Sequence, residues 1–189
     1  MPGQFMARPR TKVLEIRLGD EKISRMNPAD QHTGLDAFDR QLLVALQKDN
    51  RTPLRVLAEQ VHLSTAAVQR RIRRMEDAGV IMSNTAVVNP ERVGRPVTIL
   101  VEVHAKVAQA DRLEALKKTF AGPDVQQCYY VTGEADFVLI LAVSSMAEYD
   151  AIAHRLFSGN EDVQWFRTVV AMDRVKVSLD VPVVTTISA

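Results

Sequence analysis

The sequence predicts an α+β fold in which three N-terminal helices, arranged as a helix-turn-helix, precede a βαββαβ unit. Two observations carry this prediction. Residues 34 to 79 hold apolar side chains at helical spacing in three short runs, each with a recognisable end signal, and beyond residue 97 the apolar spacing changes to the alternation typical of strands. The predicted division is 1–33, a disordered arm; 34–90, the helix-turn-helix with a short β segment; 91–96, a linker; 97–180, the second domain; and 181–189, a tail.

The three predicted helices are delimited by caps. Asp36 is a suitable N-cap for the first helix, and Thr52 followed by Pro53 begins the second. After a two-residue link, Ser64 caps the third helix, which we expect to run to Gly79, a residue suited to a left-handed C-terminal turn. Such a tight link between the second and third helices is typical of a helix-turn-helix.

The second half predicts strands and helices in the split βαβ order. A short strand-forming stretch, Val80 to Pro90, comes first. The elements that follow are a strand from Val97, a helix over 109–120, strands over 125–132 and 137–143, a helix opened by a Ser145–Glu148 capping box, and a strand over 163–175. Both helices would cover one face of the sheet. The other face would carry Leu100, Cys128, Tyr130 and Phe166 and would meet another subunit.

Composition excludes several classes of protein. The chain has 189 residues, is 47% hydrophobic, and contains only 8 Gly and 8 Pro, which argues against collagen-like and wholly disordered chains. No apolar run approaches the roughly 20 residues that span a bilayer, and no signal-peptide centre is present. The single cysteine, Cys128, fits a reducing compartment. We therefore expect a cytoplasmic protein without a membrane partner.

The net charge of +1 is a cancellation between parts of the chain. Residues 1–33 hold 6 basic and 4 acidic side chains, residues 34–90 hold 8 and 6, and residues 91–189 hold 10 and 13. The basic excess of the helical half includes four arginines between positions 70 and 74. A near-neutral total therefore does not exclude a nucleic-acid partner, because the basic residues are concentrated where DNA would bind.

The third predicted helix has one buried and one basic side. At about 100° per residue, Val68, Ile72 and Met75 fall in one sector and form the buried seam. Small residues at the helix start allow close approach to a groove, Gln69 is suited to reading a base edge, and arginines reach phosphates or guanine. The predicted DNA-binding residues are Ser64, Thr65, Ala66, Ala67, Gln69, Arg70, Arg71, Arg73 and Arg74. The alternative is a solvated basic face on a structural helix.

Two motifs in the same order identify a resemblance to a known family. Residues 35–81, LDAFDRQLLVALQKDNRTPLRVLAEQVHLSTAAVQRRIRRMEDAGVI, resemble the DNA-binding half of the Lrp/AsnC family of feast-or-famine transcriptional regulators. Residues 131–139, VTGEADFVL, resemble that family's TG-x-x-D turn, and Thr168 with Val175 and Lys176 resembles the end of its last strand. The resemblance covers about residues 34 to 182 and leaves out the N-terminal arm and the last residues.

The resemblance implies a winged or plain helix-turn-helix joined to a ferredoxin-like effector-binding and oligomerisation domain. It further implies a regulator that binds double-stranded promoter DNA as a homodimer, with dimers assembling into an octamer or another multimer. A small amino acid, bound between dimers, would act as the effector. No other cofactor is expected.

The turn between the second and third strands of the βαββαβ unit is the candidate effector site. Backbone N–H groups around Gly133 would hold the carboxylate of an amino acid, and Asp136 with Glu134 would accept its ammonium group. The predicted effector-binding residues are Tyr130, Val131, Thr132, Gly133, Glu134, Asp136 and Thr168. The alternative is that residues 133–136 form a hairpin turn with a structural role only.

Catalytic and metal motifs are weak, so we expect neither a catalytic nor a metal site and no enzyme. The four histidines have no metal-ligand spacing, and Cys128 fits a small core residue better than a nucleophile. One alternative is an enzyme resembling the sirohaem decarboxylases, which share this two-part architecture; the run of arginines in the third helix argues against it. Another alternative is a general nucleoid-organising protein, which differs from a regulator in the ratio of its affinity for specific sites to its affinity for random DNA.

Overall fold

The computed structural model describes residues 34–106 and 109–183, which form two compact units. The helical unit comprises residues 34–82 with 181–183, and the sheet unit comprises Ser83–Asp180. Val181 belongs with the helices because the Gln47 side chain both donates to its carbonyl (3.1 Å) and accepts from its N–H (2.8 Å). The division between the two units falls between Met82 and Ser83. The predicted N-terminal arm, residues 1–33, lies outside the described residues.

Three helices build the helical unit, as predicted: α1 (Ala37–Lys48), α2 (Leu54–Val61) and α3 (Thr65–Asp77). Their apolar sides meet in one core. Val68 and Met75 of the predicted seam are buried, and Ile72 packs against the core from a partly buried position. The fully packed members are Leu42, Leu57, Ala58, Val61, Val68 and Met75.

The caps of α1 and α3 are confirmed, whereas that of α2 is wrong. Asp36 and Asp39 form a reciprocal capping box at the start of α1. At α2 the N-cap position is Pro53, which has no side-chain bond to offer. Thr52 lies one residue too early, and its hydroxyl instead donates to the Asp49 carbonyl (2.7 Å) and closes the preceding turn.

The segment that leads out of the helical unit is irregular and forms no strand. Over residues 80–96 the short predicted β segment is absent, and Met82 and Val87 are 92% and 93% exposed. A lone strand has no ladder to join, so β propensity alone does not produce one. Asn89 ends the segment: its side-chain oxygen accepts from the N–H of Glu91 (2.9 Å) and fixes the turn at Pro90.

The sheet unit has the predicted order of elements. They are β1 (Val97–Ala105), α4 (Ala110–Phe120), β2 (Gln127–Tyr130), β3 (Phe137–Val143), α5 (Met146–Ala153), a π-helical turn (His154–Ser158) and β4 (Val163–Val170). The four strands form one antiparallel sheet in the order β2-β3-β1-β4, which is the ferredoxin-like arrangement. The last strand ends at Val170 rather than at 175. In the described part of the chain no helix has the length and hydropathy needed to cross a membrane.

One face of the sheet packs on the helices. Ile99, Val101 and Val103 of β1 are fully buried against Phe120 of α4 and Phe157 of the π-helical turn. Because strand side chains alternate, the intervening residues of β1 point to the opposite side, which we call the outer face. By register it carries Leu100, Glu102, His104, Gln127, Tyr129, Val138, Ile140, Trp165, Arg167 and Val169.

The prediction for the second face of the sheet is wrong for three of its four residues. Cys128 and Phe166 pack against the helix-side core, and the Tyr130 ring lies on buried Phe137 at 5.1 Å between ring centroids. Cys128 stands opposite buried Leu139, and residues directly opposite in a sheet share a face. Only Leu100 belongs to the outer face.

Candidate nucleic-acid interface and ligand cavity

The exposed side of α3 is small and polar near its start and basic further along. Thr65, Ala66 and Gln69 are exposed, and so are Arg70 and Arg73. These two arginines have no hydrogen-bond or ion-pair partner among residues 34–106 and 109–183, so both guanidinium groups are available to a ligand. Five of the nine predicted DNA-binding residues therefore form one accessible surface.

Ser64 and Ala67 set the start of α3. The Ser64 hydroxyl accepts from the N–H of Ala67 (3.2 Å), which satisfies one of the free N–H groups at the helix start. Ala67 itself is half-buried. Ser64 therefore serves the local fold, and any contact it makes to DNA comes in addition to its cap.

Arg71 and Arg74 differ from the other two arginines, because both are bound to acids of α1. Arg71 Nη1 lies 2.6 Å from Asp36 Oδ2 and 2.9 Å from Asp39 Oδ1, and Arg74 Nη2 lies 2.5 Å from Asp39 Oδ2. The Asp39 side chain is completely buried. The sequence did not predict these ion pairs, here called the tether, because Asp36 was interpreted only as a helix cap and the partners lie more than thirty residues away.

The contact between Asp36 and Arg71 favours the charged form of both groups. Desolvation raises the pKa of Asp36, but the N–H of Asp39 and the Arg71 guanidinium outweigh it and hold that pKa below its ordinary value. The hydrogen bonds to Asp36 and Asp39 raise the pKa of Arg71 in turn. The Phe38 ring supports the guanidinium of Arg71, whose carbon lies 5.4 Å from the ring centroid.

In the sheet unit, the turn between β2 and β3 is clamped to the end of β1. The Asp136 carboxylate accepts from the N–H of Ala105 (2.8 Å), and the N–H of Asp136 donates to the Val103 carbonyl (2.9 Å). His104 Nδ1 lies 3.0 Å from the same carboxylate, within ion-pair distance but without hydrogen-bond angles. Asp136 thus positions the turn. Its Oδ2 is engaged, and its Oδ1 has no partner among the described residues and is available to a ligand.

Gly133 gives this turn its open backbone. Its φ of 133° lies in a region that L side chains rarely adopt, and no atom lies within 4 Å of where a Cβ would be. The backbone here is therefore accessible to a small ligand.

A cavity of about 460 Å³ opens beside the turn. Three predicted effector residues, Val131, Thr132 and Glu134, line it. The remaining lining residues were not predicted: Glu102, Ala135, Val138 and Arg167. Arg167 and Glu102 form an ion pair across β4 and β1. The alternation of β1 and β4 places both on one face, but only the register shows that they are directly opposite.

Two predicted effector residues point away from this cavity. Tyr130 lies on the helix side, with the Lys117 ammonium 5.1 Å from its ring centroid. The Thr168 hydroxyl is 2.5 Å from the Tyr149 hydroxyl of α5. Burial raises the pKa of Tyr149, and the bond to Thr168 opposes that rise. Neither Tyr130 nor Thr168 lines the cavity within one chain.

The described residues contain no group of His, Cys, Asp and Glu side chains that could hold a metal ion. Cys128 is partly buried, and burial raises the pKa of its thiol, which disfavours the reactive thiolate.

Two family models match the chain in the order of its two units. Residues 35–76 match the AsnC-type helix-turn-helix domain, and residues 98–181 match the Lrp/AsnC ligand binding domain. The first match spans α1, α2 and nearly all of α3, and the second spans the four-stranded sheet with its helices except for the first residue of β1.

Known proteins share both units. An uncharacterized HTH-type transcriptional regulator of Sinorhizobium fredii is 43% identical over 150 residues, covering 79% of this chain and 89% of that protein. The crystal structure of an AsnC family transcriptional regulator from Agrobacterium tumefaciens is 30% identical with a TM-score of 0.73, covering 78% and 97%. A feast or famine regulatory protein from M. tuberculosis, complexed with L-methionine, is 31% identical with a TM-score of 0.69, covering 77% and 97%.

Proposed function

The chain belongs to the Lrp/AsnC family of transcriptional regulators, and from this premise we propose that it binds promoter DNA sequence-specifically as a dimer or higher oligomer. The observation that carries the proposal is the exposed side of α3, where Arg70 and Arg73 have no protein partner within the described residues. Thr65 and Ala66 leave room there for a base edge, which the exposed Gln69 can read. In a helix-turn-helix this second helix of the pair lies in the major groove.

Selection from a pool of random-sequence duplexes tests DNA recognition. We expect an enriched sequence with two half-sites whose centres lie about 10 base pairs, or a multiple, apart, because a dimer presents two copies of α3. The double variant R70A/R73A should lose binding to every sequence. Arg155→Ala, which removes an exposed arginine from the sheet unit, is the matched control and should bind like the parent. If R70A/R73A also bound DNA like the parent, α3 would not be the DNA-recognition helix.

We infer that a small amino acid is the effector and that it binds beside the β2–β3 turn. An amino acid carries one carboxylate and one ammonium group, and the cavity offers groups for both: Arg167 for the carboxylate and Glu102 or Glu134 for the ammonium. Val131 and Val138 add apolar walls for a side chain. The L-methionine complex of the M. tuberculosis relative supports this class of ligand.

A thermal-shift screen of the standard amino acids tests the effector. Binding to the folded state raises the melting temperature, and at a given concentration a tighter ligand raises it more. Gly133→Asp places a carboxylate at the turn and should abolish the shift. Gly133→Asn imposes the same backbone strain without the charge and should retain part of it. An equal shift in the parent and in Gly133→Asp would exclude this turn as the site.

We propose that the outer face of the sheet mediates self-association. Trp165 and Val169 are exposed there at 39% and 43%, and Tyr129 at 50%. Apolar side chains grouped on an uncovered sheet face mark an interaction surface. We propose that dimers associate with one another through an extension of this contact and that the effector acts on this association. To do so, the effector must bind one assembly more tightly than another.

The proposal places the protein among regulators rather than among enzymes like the sirohaem decarboxylases. An enzyme has no need of unpaired arginines on α3. Absorbance spectra of the purified protein with a carboxylated tetrapyrrole should show no binding and no product. Because the target is promoter DNA, we expect the protein in the cytoplasm.

A further inference from the structure

Unlike Arg70 and Arg73, Arg71 and Arg74 are each held in place by acids of α1. Together with Arg70, they line a recess of about 160 Å³, to which no other residue contributes a wall in the described part of the chain. Three guanidinium groups around one recess form a site for an anion.

Asp39 fixes two of these three groups. Its Oδ1 accepts from Arg71 and its Oδ2 from Arg74, while Oδ2 also accepts from the Asp36 N–H (3.1 Å). Both oxygens of this carboxylate are engaged and none of its surface is exposed, which favours a single orientation. Each arginine donates to it through one terminal nitrogen, and Arg74 remains 55% exposed.

The recess lies beside the surface that would enter the groove. At about 100° per residue, Arg70, Arg74 and Arg71 follow one another around one flank of α3, toward α1, whereas Ala66, Gln69 and Arg73 lie around the other side. Arg71, only 22% exposed and held by two acids, has no reach toward a base edge. A fixed fork of donors at the flank of a groove-binding helix suits a backbone phosphate, which positions a protein on DNA without reading sequence.

We infer that Arg70, Arg71 and Arg74 bind one backbone phosphate of DNA and that Asp39 is the residue that positions two of the three. This rests on the proposed DNA-binding function. The inference also predicts that removing the Asp39 charge changes the DNA affinity in the direction opposite to that expected from net charge alone. Removing the Asp39 charge makes the helical unit more positive, which by itself would strengthen DNA binding. Loss of positioning should weaken it instead.

The experiment measures the affinity of the full chain for a random-sequence duplex over a range of salt concentrations, for the parent, D39N, R74K and D77N. Asp77 is exposed at the end of the same helix, so D77N removes an equal charge without touching the recess. We expect D39N to lower the affinity about tenfold and to reduce the salt slope by about 1, as for one lost phosphate contact. D77N should bind as well as the parent or better.

R74K covers the case in which D39N does not fold, because it changes an exposed side chain and keeps its charge. It should show the same loss on random DNA, since an ammonium group lacks the fork that spans Asp39 and a phosphate. Melting curves establish that each variant compared is folded. If folded D39N or R74K binds like D77N, the inference is overturned while the proposed function stands. If the parent chain binds no duplex, both are overturned.

Discussion

Four arginines within five positions of one helix have two different roles. Arg70 and Arg73 are exposed, with no partner among residues 34–106 and 109–183, whereas Arg71 and Arg74 are bound to Asp39. Residue type and spacing predict a basic helix but not this division, because the acids that cause it come from α1. The distinction matters for function, because a free arginine can adjust its side-chain conformation to a ligand, whereas a tethered one binds the ligand in a fixed geometry.

Gln69 is the side chain most suited to reading sequence, and its replacement tests that at the level of one residue. A glutamine on the exposed side of α3 can pair with adenine through two hydrogen bonds, worth about 1–3 kcal/mol of discrimination. We expect Gln69→Ala to change which sequences are selected from a random pool while the affinity for random DNA stays the same. An unchanged selected sequence would exclude Gln69 from base recognition.

At the scale of elements, local signals predicted the helices and strands, and long-range pairing decided the rest. The three helices, the order of the second half and the Asp36 cap follow from periodicity and capping residues within a few positions. The side on which Cys128 and Phe166 lie depends on their partners Leu139 and Val103, which adjacent sequence does not reveal. For the same reason Glu102 and Arg167 escaped prediction as cavity residues.

The cap of α3 is predicted to be needed for stability as well as for placement. Ser64→Ala removes the bond to the Ala67 N–H and should lower the free energy of unfolding of the helical unit by about 1 kcal/mol. Urea denaturation followed by circular dichroism measures this. Ser64→Asp, which keeps an acceptor, is the control and should retain the stability of the parent. Equal stability of Ser64→Ala and the parent would show that the cap contributes nothing.

The beginning of the sheet unit is held by a cluster at the start of α5. Ser145 caps α5 as predicted, but Glu148 completes the arrangement on Ser144, accepting from its N–H (2.7 Å) and its hydroxyl (2.6 Å). Glu148 also accepts from Arg95 at 2.9 Å, and Arg95 reaches the Ala142 carbonyl. Arg95, which follows the turn at residues 90–94, is thereby attached to both β3 and α5.

This cluster predicts a dependence of stability on pH. The hydroxyl and N–H of Ser144, with Arg95, lower the pKa of Glu148 from 4.5 to about 2. Because the folded-state pKa is depressed, the stabilisation is complete above pH of about 4.5 and is lost as the pH falls toward about 2. Denaturation midpoints of the parent and Glu148→Gln should therefore differ at neutral pH and converge in that window. A constant difference would contradict the depressed pKa.

At the scale of the molecule, the distribution of charge separates the two tasks. The helical half carries the basic excess and the sheet half the acidic excess, with 10 basic and 13 acidic side chains over residues 91–189. A single helical unit offers few phosphate contacts, so one copy alone would bind DNA weakly. Linking two copies raises the affinity without any new contact, because the second copy binds at a high effective concentration.

Self-association through the outer face is therefore predicted to control DNA affinity from a distance. Ile140 lies at the centre of that face, opposite Leu100, and Ile140→Lys would place a charge in the proposed contact. We expect this variant to sediment as a monomer and to lose about a hundredfold in affinity for its selected DNA sequence. Gln126→Lys adds the same charge at an exposed position just before β2 and should behave like the parent. A monomeric Ile140→Lys that binds DNA as tightly as the parent would show that assembly and DNA binding are independent.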